Sequence, residues 1–376
     1  MPSPEAFVGL DVHKDTISVA IADAGRDGEV RFWGNIANET TALDKLVKQL
    51  ADHYAAIEFV YEAGPCGYKI YRQLTARGLV CDVVAPSHIP RRAGDRVKND
   101  HRDAMTLARL ARAGELTSVW VPDPTHEAMR DLLRARHAAN RDLKHDRQRI
   151  QSFLLKVSRR YPSKPWTGRH RTWLANQQFE HPAQQVAFQH YVNAMEQSLD
   201  RRGQLETQIQ ELIPQWSLAP LVTAFQALRG VGPIIAATLV AEAGDITRFN
   251  HPKQLMSFFG LTPGEFSSGA KTRPRGITKT GNGTVRSLLY EAAWCYRVTP
   301  KVGAYMLQHR PADIPQEAKD IAWKAQLRLH KQYRRMMARN KKAQVAVTAV
   351  ARELVGFMWA IALVVAPSAS PPEPRA

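Results

Sequence analysis

Cysteine is almost missing from this chain: three occur in 376 residues, Cys66, Cys81 and Cys295, with no C-x-x-C pair among them. A disulfide scaffold, a thiolate zinc site and a dithiol redox centre are thereby set aside, and a reducing compartment is expected. Long apolar runs are lacking as well. The longest, LVGFMWAIALVVA at 354–366, is too short to span a bilayer and reads as a buried helix. The first residues, MPSPEAFVGLDVHKD, show no basic segment followed by an apolar one, so a cytoplasmic protein with no membrane partner is expected. Acidic charge is also in deficit: 35 Asp+Glu stand against 52 Lys+Arg, for a formal net charge of +17. An excess of that size calls for a polyanionic partner, and nucleic acid is the ordinary one.

The charge is unevenly spread. Residues 1–110 hold 14 Lys+Arg and 15 Asp+Glu, and the remainder 38 and 20. An acidic, carboxylate-using module thus precedes a polyanion-gripping one.

The first module reads as α/β. FVGLDV, TISVAIAD and VRFWGNIA form three β-rich runs joined by turn-like residues. TTALDKLVKQLADHY follows with Leu43, Leu46, Val47 and Leu50 at helical spacing and Thr40 or Thr41 as its cap. AAIEFVYEA is then a strand, GYKIYRQLTARG a helix closed by Gly78, and LVCDVVAP a strand. The order βββαβαβ makes the first strands antiparallel and brings the later ones in through helical crossovers.

From about 124 the pattern turns helical. Leu132, Leu133, Leu143, Ile150, Phe153, Leu154 and Val157 form one stripe, and Met195, Leu199, Leu205, Ile209 and Leu212 another, as two long helices of an antiparallel coiled-coil arm would. YPSKPWTGRHRTWLANQQFEHP interrupts them at the tip, an insertion near 161–190. A mostly helical region follows, with a very basic stretch at 316–342 containing Tyr333, then a closing apolar helix at 343–365 and the disordered tail APSASPPEPRA. The expected divisions are 1–123, 124–215, 216–366 and the tail 367–376.

Four acids stand where strands and a helix begin or end: Asp11 after the first strand, Glu62 closing IEFVYE, and Asp100 and Asp103 in VKNDHRDAMTLARL. The last two share a helical face at i, i+3. If the four converge, their mutual repulsion requires cations, and a carboxylate-rich set suits Mg2+ or Mn2+. Arg91, Arg92 and Lys98 beside them would meet phosphates. His13 reads as a turn residue beside the site and not as a ligand, because magnesium prefers oxygen.

Two further motifs face a polyanion. LRGVGPIIAATLVAEAG, with Gly230 and Gly232, has the form of a helix-hairpin-helix that presents backbone N–H groups to phosphate. GEFSSGAKTRPRGITKTGNG sets Ser267 and Ser268 before Gly269 and among Lys271, Arg273, Arg275 and Lys279, with Arg286 following. The cations read as phosphate clamps, and cations beside a hydroxyl could serve a nucleophile on phosphorus, but with no triad His or Asp evident the residues alone favour an ordinary Ser-Gly loop.

FVGLDVHKDTISVAI, VYEAGPCGY, KNDHRDAMTLARL, ALRGVGPIIAATLVAEAGDITRF, FFGLTPGEFSSG and RGITKTGNGTVRSLLYEAAW, in that order, give the chain its family likeness. It resembles the DEDD transposases of the insertion-sequence group that recombines DNA under a bridge RNA, relatives of the Piv-type DNA invertases. The resemblance implies an RNase H-like (RuvC-like) N-terminal domain, a coiled-coil arm and a helical transposase domain carrying a catalytic serine. The four acids fall on Asp11, Glu62, Asp100 and Asp103, and the serine on Ser268. The resemblance further implies Mg2+, a covalent phosphoserine, a non-coding RNA pairing with donor and target DNA, and a homotetramer built as a dimer of dimers. Two other readings fit the same residues: a Holliday-junction-type nuclease using water, and a non-catalytic nucleic-acid-binding protein.

Overall fold

The computed structural model describes residues 3–90, 99–265 and 274–365, which fall into two compact units, Met1–Val121 and Pro122–Ala376. Unit 1 contains β1 (Ala6–Val12), β2 (Thr16–Asp23), β3 (Val30–Ala37), α1 (Thr40–Ala51), β4 (Ile57–Glu62), α2 (Lys69–Thr75), β5 (Val80–Val84) and α3 (Asp100–Arg112). The strands make one sheet in the order β3-β2-β1-β4-β5. β1, β2 and β3 pair antiparallel, while β4 joins β1 and β5 joins β4 in parallel. The connections explain the directions: short turns join the first three strands, and α1 and α2 supply the crossovers that parallel pairing needs.

The two faces of this sheet differ in side-chain size. One carries Val8, Leu10, Ile17, Val19, Ile21, Phe59, Tyr61 and Val83 against Leu43, Leu46 and Leu50 of α1 and Ile70 and Leu74 of α2. The other offers small residues, Ala20 and Ala22, to Ala104 and Ala108 of α3, with Val60 and Val84 meeting Leu107 and Ala111. α1 begins without the expected threonine cap. Asn38 is held by the β1–β2 turn, donating from Nδ2 to the His13 carbonyl at 2.8 Å, and extended Glu39 takes the cap position with no side-chain bond.

Unit 2 opens with α4 (Pro124–Lys156), capped by Asp123 Oδ1 accepting from the His126 N–H at 2.9 Å. α5 (Gly168–Ala175) and α6 (Pro182–Leu212) follow. α4 and α6 run antiparallel, since Arg136 pairs with Glu206, Asp142 with Arg201 at 3.1 Å, and Asp146 with Ser198 at 2.7 Å. Leu143, Ile150 and Leu154 pack there on Phe188, Val192 and Met195. Leu212, expected on the inner stripe, is exposed: Ile209 and Ile213, one turn apart, occupy the inward positions where the chain leaves α6. The insertion carries α5, and its Trp166, Trp173, Leu174 and Phe179 join the core between the long helices.

The rest of unit 2 comprises α7 (Ala219–Phe225), α8 (Pro233–Ala243), α9 (Pro252–Phe258), β6 (Pro263–Glu265), β7 (Pro274–Ile277), α10 (Gly283–Ala293), α11 (Ala304–His309), α12 (Gln316–Ala338) and α13 (Ala343–Val365). α13 has the 343–365 span expected of the closing apolar helix. At 23 residues it is long and apolar enough to cross a membrane by length and composition. It is instead packed on α12, α10, α9 and α7, with Val347, Val350, Ala351, Leu354, Val355 and Ile361 fully buried. Arg352 and Glu353 lie within it, and Glu353 pairs with Arg328 of α12 at 2.9 Å. Tyr333, in the basic stretch, packs against this core. The tail 367–376 lies outside the described residues.

Candidate active site

The site is assembled where β1 ends and α3 begins. Side chains alternate along a strand, so Phe7, Gly9 and Asp11 share the face opposite Val8 and Leu10. That is the face α3 covers. Gly9 is what lets the helix come close: a Cβ there would lie 2.3 Å from the Ala104 carbonyl oxygen and 2.5 Å from the Ala108 nitrogen, both backbone atoms. The helix therefore rests directly on the strand, and its first turn arrives beside Asp11. At its far end Arg112 donates to the carbonyl oxygens of Gly28 at 2.6 Å and Asp23 at 3.1 Å. At the near end Asn99 caps the helix, its Oδ1 accepting from the His101 N–H at 3.0 Å. The His101 ring sits edge-on to Phe32 of β3, with centroids 4.1 Å apart.

Asp11, His13 and Asp100 converge. His13 Nε2 lies 3.2 Å from Asp11 Oδ2 and 3.4 Å from Asp100 Oδ2, and the three residues offer donor atoms all within 4.8 Å of one another. Asp11 forms the base, its side chain 16% exposed, and Asp100 the rim at 54%. Burial raises the Asp11 carboxyl above its usual range; His13 opposes this, and Asp100 and Asp103 add to it by repulsion. Asp103 thus acts on the same point from one turn further along α3. Asp100 and Asp103 also complement the positive end of the helix.

Glu62 is placed on the neighbouring strand. Leu10 pairs with Tyr61 in the parallel register of β1 and β4, so Glu62 stands one step on, level with Asp11. It shares a face with Val60, which packs under α3. Its carboxylate, like that of Asp103, is outside the tight group of Asp11, His13 and Asp100. His13, expected as a turn residue beside the site, stands just past the end of β1 with its ring over Asp11. Arg91, Arg92 and Lys98 lie outside the described residues.

In unit 2, Gly230 adopts φ +81, and a Cβ there would lie 2.8 Å from the Ala292 carbonyl oxygen and 2.9 Å from Cys295 Sγ. It allows the turn after α7 to pack on α10. Gly232 occupies the N-cap of α8 with open space around it. Arg286 is turned inward, donating to the carbonyl oxygens of Thr280 at 2.7 Å, Gly281 at 3.1 Å and Phe259 at 3.3 Å. Arg275 and Lys279 are exposed, Arg275 on β7 and Lys279 two residues past its end. Ser267, Ser268, Lys271 and Arg273 lie outside the described residues, in the connection between β6 and β7. Those strands pair antiparallel, a hairpin the sequence pattern did not disclose because each strand is only three or four residues long.

A carboxylate pair with an imidazole is a donor set that divalent cations accept, and a chain this basic has a polyanion to act on. Comparison with known proteins agrees. Residues 8–158 match the DEDD family of IS110 type, described as a transposase, and residues 222–306 match the family described as Transposase IS116/IS110/IS902. The chain is 51% identical over 359 residues to the putative transposase y4qE of Sinorhizobium fredii, which covers 95% of this chain and 88% of that one. It is 31% identical over 342 residues to the transposase for insertion sequence element IS1533 of Leptospira borgpetersenii, covering 90% of this chain and 98% of that one. Coverage of 90% or more of this chain takes in both units. The chain belongs to the IS110 family of insertion-sequence transposases, and it is a DNA transposase.

Proposed function

We propose that this transposase is an RNA-guided recombinase that cuts and rejoins DNA through a covalent phosphoserine on Ser268, assisted by Asp11, Glu62, Asp100 and Asp103. The observation that carries the reading is the meeting of Asp11 and Asp100, from a strand and a distant helix, on one imidazole nitrogen. The two carboxylates repel one another, and a cation held between them would relieve that repulsion. The sheet order β3-β2-β1-β4-β5 supports an RNase H-like (RuvC-like) unit, and α7, its glycine turn and α8 support a helix-hairpin-helix.

Asp11, Glu62, Asp100 and Asp103 would hold Mg2+ or Mn2+. When bound, such a cation supplies positive charge against the phosphate oxygens. The chain's own residues do the rest. Ser268 Oγ attacks the scissile phosphorus and gives up its proton as the Oγ–P bond forms. The P–O ester bond to the leaving strand breaks, and the departing oxygen takes up a proton. A hydroxyl of the exchanged strand then displaces the serine by the reverse of these steps. Lys271, Arg273, Arg275 and Lys279 neutralise the flanking phosphates.

A bridge-type non-coding RNA would pair with donor and target DNA, leaving the protein to grip backbone, which suits a chain whose excess of basic residues lies beyond residue 110. The working assembly is a homotetramer, a dimer of dimers, in which the acids of one subunit serve the serine of another. It acts in the cytoplasm, at the nucleoid. Incubating the full-length protein and copurified RNA with donor DNA tests this: a detergent-resistant protein–DNA adduct forms, survives Ser267→Ala and is lost in Ser268→Ala. Cleavage that persists in Ser268→Ala with no adduct would reject the covalent route. A random RNA population in the purified protein would reject guidance.

A further inference from the structure

We infer that His13 is itself a ligand of the divalent cation, so that the site presents mixed carboxylate oxygen and imidazole nitrogen and holds Mn2+ more tightly than Mg2+. The inference rests on the reading of the acids as a cation-holding site, and it adds a residue that the four-carboxylate pattern does not contain.

Three observations support it. First, Nε2 of His13 is within reach of two carboxylates from different elements, at 3.2 Å from Asp11 and 3.4 Å from Asp100. With its proton on Nδ1, the neutral ring would turn the Nε2 lone pair toward the point that both carboxylates also face, as a ligand of a cation shared among the three must.

Second, the spacings suit one. Donors about 2.1 Å from an octahedral ion lie about 3 Å apart on adjacent corners, and the two observed separations are close to that edge. Third, the main chain of His13 is held on both sides. The His13 N–H donates to the Thr16 carbonyl at 2.9 Å, and its carbonyl accepts from Asn38 at 2.8 Å. The β1–β2 turn and the end of β3 thus fix the residue over Asp11 before any ion arrives. Each ion's chemistry then sets the preference. Mg2+ keeps to oxygen donors and near-ideal geometry, whereas first-row divalent ions accept nitrogen and bind mixed sites more strongly.

The test uses the full-length protein with Mn2+ alone, read by pulsed electron paramagnetic resonance. Wild type shows nitrogen-14 modulation from a directly bound imidazole. His13→Gln removes that modulation and weakens Mn2+ binding by roughly tenfold or more, while Mg2+ binding, measured by competition, changes far less. Thermal melts of His13→Gln and His13→Asn establish that the fold is retained, and the wild-type spectrum needs no variant. Mn2+ binding that depends on Asp11 but shows no nitrogen modulation would overturn the inference and leave the acidic site standing. Mn2+ binding unaffected by Asp11→Asn would overturn both.

Discussion

Asp11 is the more deeply buried of the two carboxylates that meet at His13. It sits at the foot of the cluster, where burial and two carboxylates of α3 raise the cost of its charge, and neutralising it would take one buried charged ligand away from a cation. Asp11→Asn keeps the shape and deletes the charge. DNA cleavage by this variant is expected to fall by about a hundredfold or more, while nucleic-acid binding in a filter or gel assay is unchanged, because the excess basic charge lies beyond residue 110. Glu62→Gln, outside the tight group, is expected to lower cleavage by a smaller factor. Loss of binding along with cleavage in Asp11→Asn would point to a structural part for the aspartate.

Among the elements, α3 matters most, since it delivers Asp100 and Asp103. Its position depends on a missing side chain: Gly9 leaves room for the backbone of Ala104 and Ala108. Gly9→Ala forces helix and strand apart and is expected to destabilise unit 1 by about 1–3 kcal/mol, read by urea unfolding. Cleavage measured well below the unfolding midpoint should fall further than stability alone explains, because the two carboxylates move with the helix. An alanine variant of wild-type stability and activity would show that α3 is positioned by other contacts. In unit 2, α4 and α6 have a comparable device of opposite character. Asp146 is buried between them, accepting from Ser198 Oγ at 2.7 Å and from Arg149 at 2.9 Å. A polar contact inside an apolar seam penalises any sliding of the pair that would leave the carboxylate unpartnered.

For the molecule as a whole, unit 2 carries a pH dependence that unit 1's acids do not supply. His126, fully buried with Nε2 2.8 Å from the Ala241 carbonyl oxygen, has its pKa lowered from the ordinary value of 6.5 chiefly by burial. Burial lowers His137 and His170 as well. A histidine kept neutral in the fold but free to protonate when unfolded makes the unfolded state the better proton acceptor below 6.5. Stability from these residues is therefore complete above that pH and is lost as the pH falls through it toward the depressed folded values. Urea midpoints measured from pH 7 down to pH 5 should decline, and His126→Gln should flatten the decline. Midpoints independent of pH across that interval would show that the three rings are solvated.

Much of this architecture is legible along the chain. The β-rich runs of unit 1 with their helical crossovers, the i, i+3 spacing of Asp100 and Asp103, and the surplus of basic charge are local or additive properties, and local sterics and summed charge suffice to set them. The closing apolar helix is legible too, since its expected span of 343–365 is that of α13, but which of its residues are covered is decided only by packing on α12, α10, α9 and α7. Arg286 illustrates the same limit: a cation in a basic loop suggests phosphate, yet its guanidinium ties three carbonyl oxygens together. The sequence by itself determined which elements form and what charge they carry. The tertiary structure alone decided that Asp11 and Asp100 meet at His13, because that meeting depends on the distance between two backbones, and Gly9 controls that distance only once α3 has docked.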